Sequence, residues 1–349
     1  MTGTMTGTKM IGKELMTQRK RSNLGTLLAV IVLLFVASPA TAQVIRLASG
    51  APESSPWGAA LNRVAADWER ISRGRVTLQI FHNGIAGDEL DVLRKMRIGQ
   101  VQAGVFTTAG MDALAPEVLT MSMPVLIRSN EELTHVFAEL QGDLERAIER
   151  NRFTVLGWSQ GGWIYFFTNR EVRSPRDLKN VHLAASAENE EILRAFQQMG
   201  YRTSPVNLTE LLTALNSGMV EGFYASPIAA AGFQWFARAP YMLDLPVAPF
   251  LGSVVISDRA WSRVPDNLKP QLIASVERQI ASLDAAVTTL ESEAIDAMKG
   301  FGLTVTSLSD SEREQWFAEF DRSLPATVGS VFHEPTYRTI QRRLEEFRR

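Results

Sequence analysis

Short apolar segments alternate with amphipathic segments from residue 44 onward, and this alternation constrains the fold more than any other feature of the sequence. Val44–Ser49 and Arg75–Phe81 have strand composition, and the second alternates apolar with polar residues. Between them, Pro56–Ser72 carries apolar residues at spacings of three and four, which predicts a helix. A helix over Glu89–Ile98 and a strand over Ala103–Phe106 follow. This order predicts a parallel α/β sheet, in which ligands bind at the carboxyl ends of the strands.

The same alternation begins again after Arg150 and predicts a second α/β unit. Its predicted strands are Phe153–Leu156, Trp163–Thr168 and Val181–Ala185, and its predicted helices are Asn189–Met199 and Thr209–Ser217. No linker separates the two units. We therefore expect an α/β fold of two lobes that share crossover segments.

A helical periodicity extends from Asp266 to Met298 and ends before Gly300. A helix of about 33 residues is roughly 50 Å long. That length exceeds one lobe of this size, so we expect the helix to brace both. The predicted lobes are 44–165 plus about 255–295 for lobe I, and 166–254 plus about 296–349 for lobe II. A last helical region begins near Ser309, with Glu312 placed for a capping box.

The first 42 residues have the features of a secretory signal peptide. A basic cluster at Arg19–Arg21 precedes an apolar run at Leu27–Val36, and small residues end the segment at Ala40–Ala42. The run is well short of the roughly 20 residues that span a bilayer. We expect cleavage after Ala42, export to the periplasm and no stable membrane insertion afterwards. Translation from Met16 would give a leader of more usual length.

Composition argues against several kinds of chemistry. The chain of 349 residues has no cysteine, which excludes disulfides, thiolate catalysis and cysteine-ligated metals. Its 36 basic and 38 acidic residues give a net charge of −2, without the basic footprint of a nucleic-acid binder. The four histidines are scattered, and no nucleophile elbow, phosphate-binding loop or dinucleotide motif is present. We expect no enzyme activity, no cofactor, no metal centre and no nucleic-acid partner.

Four segments, taken in order, carry a family resemblance. They are Arg75–Gly84 (RVTLQIFHNG), Gly87–Ala103 (GDELDVLRKMRIGQVQA), Ser174–Lys179 (SPRDLK) and Glu210–Gly222 (ELLTALNSGMVEG). Together they resemble the DctP-type solute-binding proteins of tripartite ATP-independent periplasmic (TRAP) transporters, over nearly all of residues 44–320. The resemblance implies a two-lobed, periplasmic-binding-protein-like fold whose cleft closes over one small organic molecule. It also implies delivery of that molecule to the membrane permease subunits of the transporter.

Three positions depart from the ligand-binding pattern of that family. Ala184 stands where the family has an arginine that pairs with the ligand's carboxylate, and Phe223-Tyr224 stand where an asparagine assists. Ile164 lies near a further arginine position. The loss of these donors and the gain of aromatics predict an apolar or aromatic ligand rather than an arginine-anchored dicarboxylate. The alternative is a carboxylate ligand held by a relocated cation from His182, Arg128 or Arg238.

The candidate ligand-binding residues lie in loops or strand ends where such a fold places its cleft. They are Phe223, Tyr224, Ala184, His182, Trp163, Trp158, Phe250, Trp57 and His82. For each aromatic or histidine the competing interpretation is a packed or hydrogen-bonded structural residue. Two other functions remain open at this point, an exported enzyme and a protein-interaction adaptor. A solvent-open aromatic patch would favour the adaptor, whereas an enclosed cavity would favour a binding protein.

Overall fold

The computed structural model describes residues 42–187 and 190–349, of which 43–187 and 190–349 belong to one compact unit. The predicted signal peptide lies outside the described residues except for Ala42. The described strands are β1 (Gln43–Ala48), β2 (Val76–Phe81), β3 (Ala103–Thr107), β4 (Phe153–Thr168), β5 (His182–Ser186), β6 (Arg202–Val206), β7 (Gly222–Ala225), β8 (Tyr241–Leu243), β9 (Ala248–Ser257) and β10 (Thr304–Thr306). The described helices are α1 (Pro56–Ser72), α2 (Glu89–Arg97), α3 (Thr108–Asp112), α4 (Pro116–Thr120), α5 (Asn130–Glu149), α6 (Pro175–Lys179), α7 (Glu190–Gln198), α8 (Leu211–Ser217), α9 (Pro227–Gly232), α10 (Asp258–Trp261), α11 (Lys269–Gly300), α12 (Asp310–Ser323) and α13 (Glu334–Phe347).

Eight of these strands form one path of order β2-β1-β3-β9-β4-β7-β5-β6, and β8 lies off it, paired with β4 and β10. In its first part, sheet I, β1 is parallel to β2 and β3, whereas β9 is antiparallel to β3 and β4. In its second part, sheet II, β5 is parallel to β6 and β7, and β7 is antiparallel to β4. Two α/β units that share strands confirm the predicted fold class.

Strand β4 belongs to both sheets. Its residues from Phe153 to Ile164 pair with β9, and those from Tyr165 onward pair with β7. The pairing with β9 is irregular between Val155 and Gly157 and again between Gln160 and Trp163. The sequence predicted two separate strands here because glycines and polar residues between them have low strand propensity. That prediction was wrong, since β9 runs beside the whole segment and keeps it extended.

Helix α11 is 32 residues long, about 48 Å at 1.5 Å per residue. It begins three residues later than predicted, with Pro270 in its first turn, where a missing backbone N–H is tolerated. Leu272 and Val276 near its start pack in the apolar core of sheet I, and Met298 near its end packs in the core of sheet II. None of the described helices combines the length and apolar content needed to cross a membrane.

The last two helices pack against different sheets. The predicted capping box of Ser309 and Glu312 starts α12, which places Trp316 in the core beside sheet II. Helix α13 places Ile340 and Leu344 in the core beside sheet I. The chain therefore returns to its first half at its C-terminal end.

Candidate ligand-binding cavity

A cavity of about 650 Å³ is lined by residues of both sheets. On one side it contacts the segments after β1 and β3, at Ser49–Pro52 and Thr107–Ala109. On the other side it contacts the segments after β6 and β7, at Asn207–Thr209 and Ser226. These are the carboxyl ends of parallel strands, the position that the strand–helix alternation predicts for a ligand.

The two sides of the cavity lie close together at two glycines. A Cβ atom on Gly50 would lie 3.9 Å from Leu208 Cδ2, and one on Gly84 would lie 3.8 Å from Thr209 Cγ2. Both distances correspond to ordinary van der Waals contact. The two walls of the cavity therefore nearly touch, and the cavity is not a solvent-open aromatic surface.

Five of the predicted residues line this cavity: Trp57, Ala184, Phe223, Tyr224 and Phe250. They come from α1, β5, β7 and β9, which are far apart in sequence. The fold thus brings together most of the predicted aromatics on one enclosed site.

Trp57 and Phe250 form one aromatic wall. Their rings meet edge to face, with 6.1 Å between centroids. Gly161 makes room for this wall, because a Cβ atom there would lie only 2.9 Å from Phe250 Cδ1. The buried indole N–H of Trp57 has no hydrogen-bond partner among the described residues.

Phe223 and Tyr224 differ in how far they reach the cavity. Phe223 is 1% exposed and stacks on Phe167, with 5.0 Å between ring centroids, so it is mainly a core residue. Tyr224 is half-buried and packs against Phe166 and Phe196, at 6.3 and 5.2 Å between centroids. Tyr224 therefore presents more of its side chain to a ligand than Phe223 does.

Two predicted tryptophans lie outside the cavity lining. The Trp158 indole N–H donates to Glu145 Oε1 at 3.1 Å, and the Trp163 indole N–H donates to Asn130 Oδ1 at 2.9 Å. Both partners are on α5, and both rings pack into the core beside sheet I. The structure therefore places these two residues in lobe packing, which was their competing interpretation.

The two predicted histidines also lie outside the lining. His82 Nε2 and Asn62 Oδ1 are 3.1 Å apart in a hydrogen bond to α1. His182 Nε2 and the Ser204 hydroxyl are 2.9 Å apart, across β5 and β6. Each imidazole thus has a neighbour that fixes it away from the cavity.

The charge of the lining is one-sided. Among the described residues that line the cavity, none is Arg, Lys or His, whereas Asp88, Glu89 and Asp91 are all present. Asp88 caps α2 by accepting from the Asp91 N–H at 2.7 Å, and Asp91 pairs with Arg94 outside the lining. Acids are favoured at this helix start by the helix dipole. An anionic ligand would meet three carboxylates and no compensating cation on these walls.

Glu89 is held in place by the end of β3. Its two carboxylate oxygens accept from the Thr107 backbone N–H at 3.1 Å, and one also accepts from the Thr107 hydroxyl at 3.1 Å. A Cβ atom at Gly110 would overlap the same carboxylate. Glycine at position 110 therefore allows an acid to lie against the turn that follows β3.

The cations proposed as replacements for the missing arginine are engaged elsewhere. The Arg128 guanidinium lies 4.2 Å from the ring centroid of Phe317 and donates to the Val125 carbonyl at 3.0 Å. Arg238 donates to Asn216 Oδ1 at 2.5 Å. His182 contacts Ser204 as described. None of the three lines the cavity.

Two carboxylates of α11, the half-buried Asp284 and the buried Glu291, hold the part of β4 that passes beside the cavity. Asp284 accepts from the Ser159 hydroxyl at 2.7 Å and from the Gln160 N–H at 2.9 Å, and burial raises its pKa. Glu291 accepts from the Trp163 N–H at 3.0 Å, and burial raises its pKa to about 7. Ser159 itself lines the cavity.

Three further aromatics in the lining were not predicted: Phe196, Phe233 and Trp235. Phe233 and Trp235 stack with 4.6 Å between ring centroids just after α9. Phe196 lies on the apolar face of α7, a pattern that indicated a helix but not a cavity. Among the described residues no group of three or more His, Asp or Glu is placed to hold a metal ion.

A family model matches residues 47–328, that of DctP, described as bacterial extracellular solute-binding protein, family 7. A solute-binding protein of Verminephrobacter eiseniae is 23% identical over 283 residues, which are 79% of this chain and 83% of that protein. The family match covers both sheets, since residues 47–328 include strands of each.

Solved structures with the same fold carry sugar-acid or dicarboxylate ligands. A TRAP periplasmic solute-binding protein of Shewanella oneidensis with bound succinate superposes with a TM-score of 0.80 at 16% identity, covering 86% of this chain and 99% of that one. The corresponding protein of Xanthobacter autotrophicus Py2 with bound β-D-galacturonate gives 0.78 at 15% identity, covering 86% and 98%. These likenesses confirm the two-lobed periplasmic-binding-protein fold.

Proposed function

Because this chain belongs to the DctP family of bacterial extracellular solute-binding proteins, we propose that it is the periplasmic solute-binding subunit of a TRAP-type transporter. It traps one small organic molecule between its lobes and delivers that molecule to the membrane permease subunits. The observation that carries the proposal is the cavity of about 650 Å³ at the carboxyl ends of strands from both sheets. Export would follow from the predicted cleavage after Ala42.

The ligand is apolar or aromatic and does not depend on an arginine-bound carboxylate. Aromatic rings and Ala184 line the walls, and their charged groups are carboxylates only. A dicarboxylate in this cavity would lose its hydration without gaining a cation, which is costly. A ligand with a large apolar surface gains by burial against Trp57, Tyr224 and Phe250.

We propose Trp57, Ala184, Phe223, Tyr224 and Phe250 as the ligand-contacting residues among those expected from the sequence. Trp158, Trp163, His82 and His182 support the lobes instead, as their hydrogen bonds indicate. The predicted lobe boundaries need two changes. The whole of β9 belongs with lobe I, because it pairs with β3 and with the first part of β4. Helix α13 belongs with lobe I, because its apolar residues pack beside sheet I.

A carboxylate ligand with a relocated cation is the second candidate. It would require His182, Arg128 or Arg238 to leave present partners and enter the lining. An enzyme or a protein-interaction adaptor has less support. Among the described residues of the lining we find no acid–base pair with a defined role, and the aromatics face a cavity rather than a surface patch.

Native mass spectrometry of the purified protein, followed by denaturing extraction, tests the proposal. We expect a co-purified neutral molecule of apolar or aromatic character. If the protein is empty, N-phenyl-1-naphthylamine, a neutral aromatic fluorophore, should raise the melting temperature, because a ligand that binds only the folded state stabilises it. Succinate and D-galacturonate serve as anionic comparisons. Stabilisation by the anions alone would favour the relocated cation, and no stabilisation by any compound would contradict the binding function.

A further inference from the structure

The segment that joins the two sheets contains a defect in its strand pairing. Strand β4 leaves β9 after Ile164 and joins β7 at Tyr165. Immediately before this exchange, pairing skips from Gln160 to Trp163, so Gly161 and Gly162 face no partner on β9. A bulge leaves backbone groups without ladder bonds and bends the strand. A change of angle between the sheets would therefore bend this segment.

Two carboxylates of α11 replace the missing ladder bonds. Asp284 accepts from the Gln160 N–H at 2.9 Å and Glu291 accepts from the Trp163 N–H at 3.0 Å, one on each side of the glycine pair. The two acids are seven residues apart and therefore lie on one face of the helix, two turns from each other. Asp284 also accepts from the Ser159 hydroxyl at 2.7 Å.

Glycines allow α11 to lie directly against β4. A Cβ atom at Gly157 would lie 2.8 Å from Ile280 Cδ1, and one at Gly162 would overlap the Glu291 carboxylate. Gly162 also has a φ of 97°, a conformation that favours glycine. Side chains at these positions would separate the helix from the strand and break the contacts just described.

We propose that Asp284 and Glu291 are positioning residues that clamp the bulged segment of β4 and so set the angle between the lobes in the ligand-bound form. Ser159 and Ile164 line the cavity on either side of the clamped segment. The clamp thereby fixes two parts of the cavity floor without either acid contacting the ligand. The expected effect of the clamp on ligand affinity rests on the proposed function. Its expected effect on the angle between the lobes does not.

The first experiment measures N-phenyl-1-naphthylamine affinity in clamp variants. Asp284→Ala and Glu291→Ala leave buried backbone N–H groups without acceptors, and we expect each to weaken the affinity about tenfold. Asp284→Asn and Glu291→Gln keep an acceptor oxygen and should stay within about twofold of the unmodified protein. Ile340→Ala, in the core beside sheet I, controls for lost stability, because it destabilises the fold from α13, which packs mainly against α5. Alanine variants that bind like Ile340→Ala would overturn the inference.

The second experiment needs no ligand. The chain lacks cysteine, so cysteines introduced by Ala66→Cys on α1 and Gln198→Cys on α7 are the only labelling sites. Both positions are exposed, and they lie on helices that pack beside different sheets. Spin labels there report the distance between the lobes by pulsed electron paramagnetic resonance. Removing the clamp should broaden the distance distribution or shift its mean, and Glu291→Gln should restore it.

The two experiments separate failure of the inference from failure of the proposed function. If the protein binds none of the probes but the distance distribution broadens in Glu291→Ala, the clamp is supported and the binding function is contradicted. If the protein binds the fluorophore but distances and affinity are unchanged in both alanine variants, the clamp is contradicted and the binding function is supported. Should an alanine variant fail to fold, the asparagine and glutamine variants are compared with Asp284→Ser and Glu291→Ser.

Discussion

Replacement of Glu291 by glutamine should make the protein more stable at pH 8 but not at pH 5. Burial raises the pKa of Glu291 from 4.5 to about 7, and the residue is 9% exposed. The folded state therefore holds a proton that the unfolded state releases between these two values. The contribution of Glu291 to the free energy of unfolding is therefore present at low pH and is lost as the pH rises from 4.5 through 7. Above about pH 8 the loss is complete.

The size of the expected stability difference follows from the shift in the pKa of Glu291. A change from 4.5 to about 7 corresponds to about 3 kcal/mol in the free energy of unfolding. For a chain of this size, about 2 °C in melting temperature accompanies each kcal/mol, so the expected difference is about 6 °C. The neutral amide resembles the protonated acid and can accept from the Trp163 N–H. Hence Glu291→Gln should match the unmodified protein at pH 5 and melt about 6 °C higher at pH 8.

Thermal unfolding followed by circular dichroism at pH 5, 6, 7 and 8 measures this difference. Subtracting the two curves cancels the titration of other groups, including Asp284 and Tyr165, whose pKa values burial also raises. Glu293→Gln, on the exposed side of α11, is the matched control and should give a flat difference. A constant difference for Glu291→Gln across the pH range, or one that favours the unmodified protein at pH 8, would refute the reasoning.

Substitutions at four positions of the cavity have distinct expected outcomes. Ala184→Arg fills space in the lining and should abolish N-phenyl-1-naphthylamine binding without creating succinate binding, as isothermal titration calorimetry would show; unchanged fluorophore affinity would exclude Ala184 from the site. Gly50→Phe should weaken fluorophore binding at least tenfold because it pushes against Leu208, whereas Gly50→Ala, whose Cβ fits at 3.9 Å, should not; equal affinities would contradict the contact. Phe223→Ala should cost roughly 3–5 kcal/mol in urea unfolding, as for other buried aromatics, whereas Tyr224→Ala should mainly reduce affinity; the reverse order would exchange their roles.

Helix periodicity was the most informative pattern in the sequence. It predicted α1 with both bounds as the structure has them and α11 to within three residues at each end. Side-chain spacing determines which face of such a helix is buried, so local sequence suffices. Strand β4 was harder to predict, because what keeps Gly161 and Gly162 in an extended segment is β9 and α11, more than 80 residues away.

The candidate site was predictable only in part. Phe223, Tyr224 and Ala184 were identified from a family motif, and Trp57 and Phe250 from their places near turns. The same argument selected Trp163, whose indole instead bonds to Asn130 on a helix that the sequence did not reveal. The sequence pattern around the other three lining aromatics indicates that they are buried, but it does not indicate what they pack against. They are Phe196, Phe233 and Trp235. The helix dipole at the start of α2 is enough to explain Asp88, Glu89 and Asp91, although these acids also line the cavity.

The return of α13 to sheet I has a consequence for how the chain acquires its structure. Ile340 and Leu344 complete a core whose other members begin at Ala48, so nearly the whole polypeptide separates the partners. Contacts between residues this far apart in sequence form slowly, because closing the chain between them costs conformational entropy before the contacts are made. The core beside sheet I should therefore be completed late in folding.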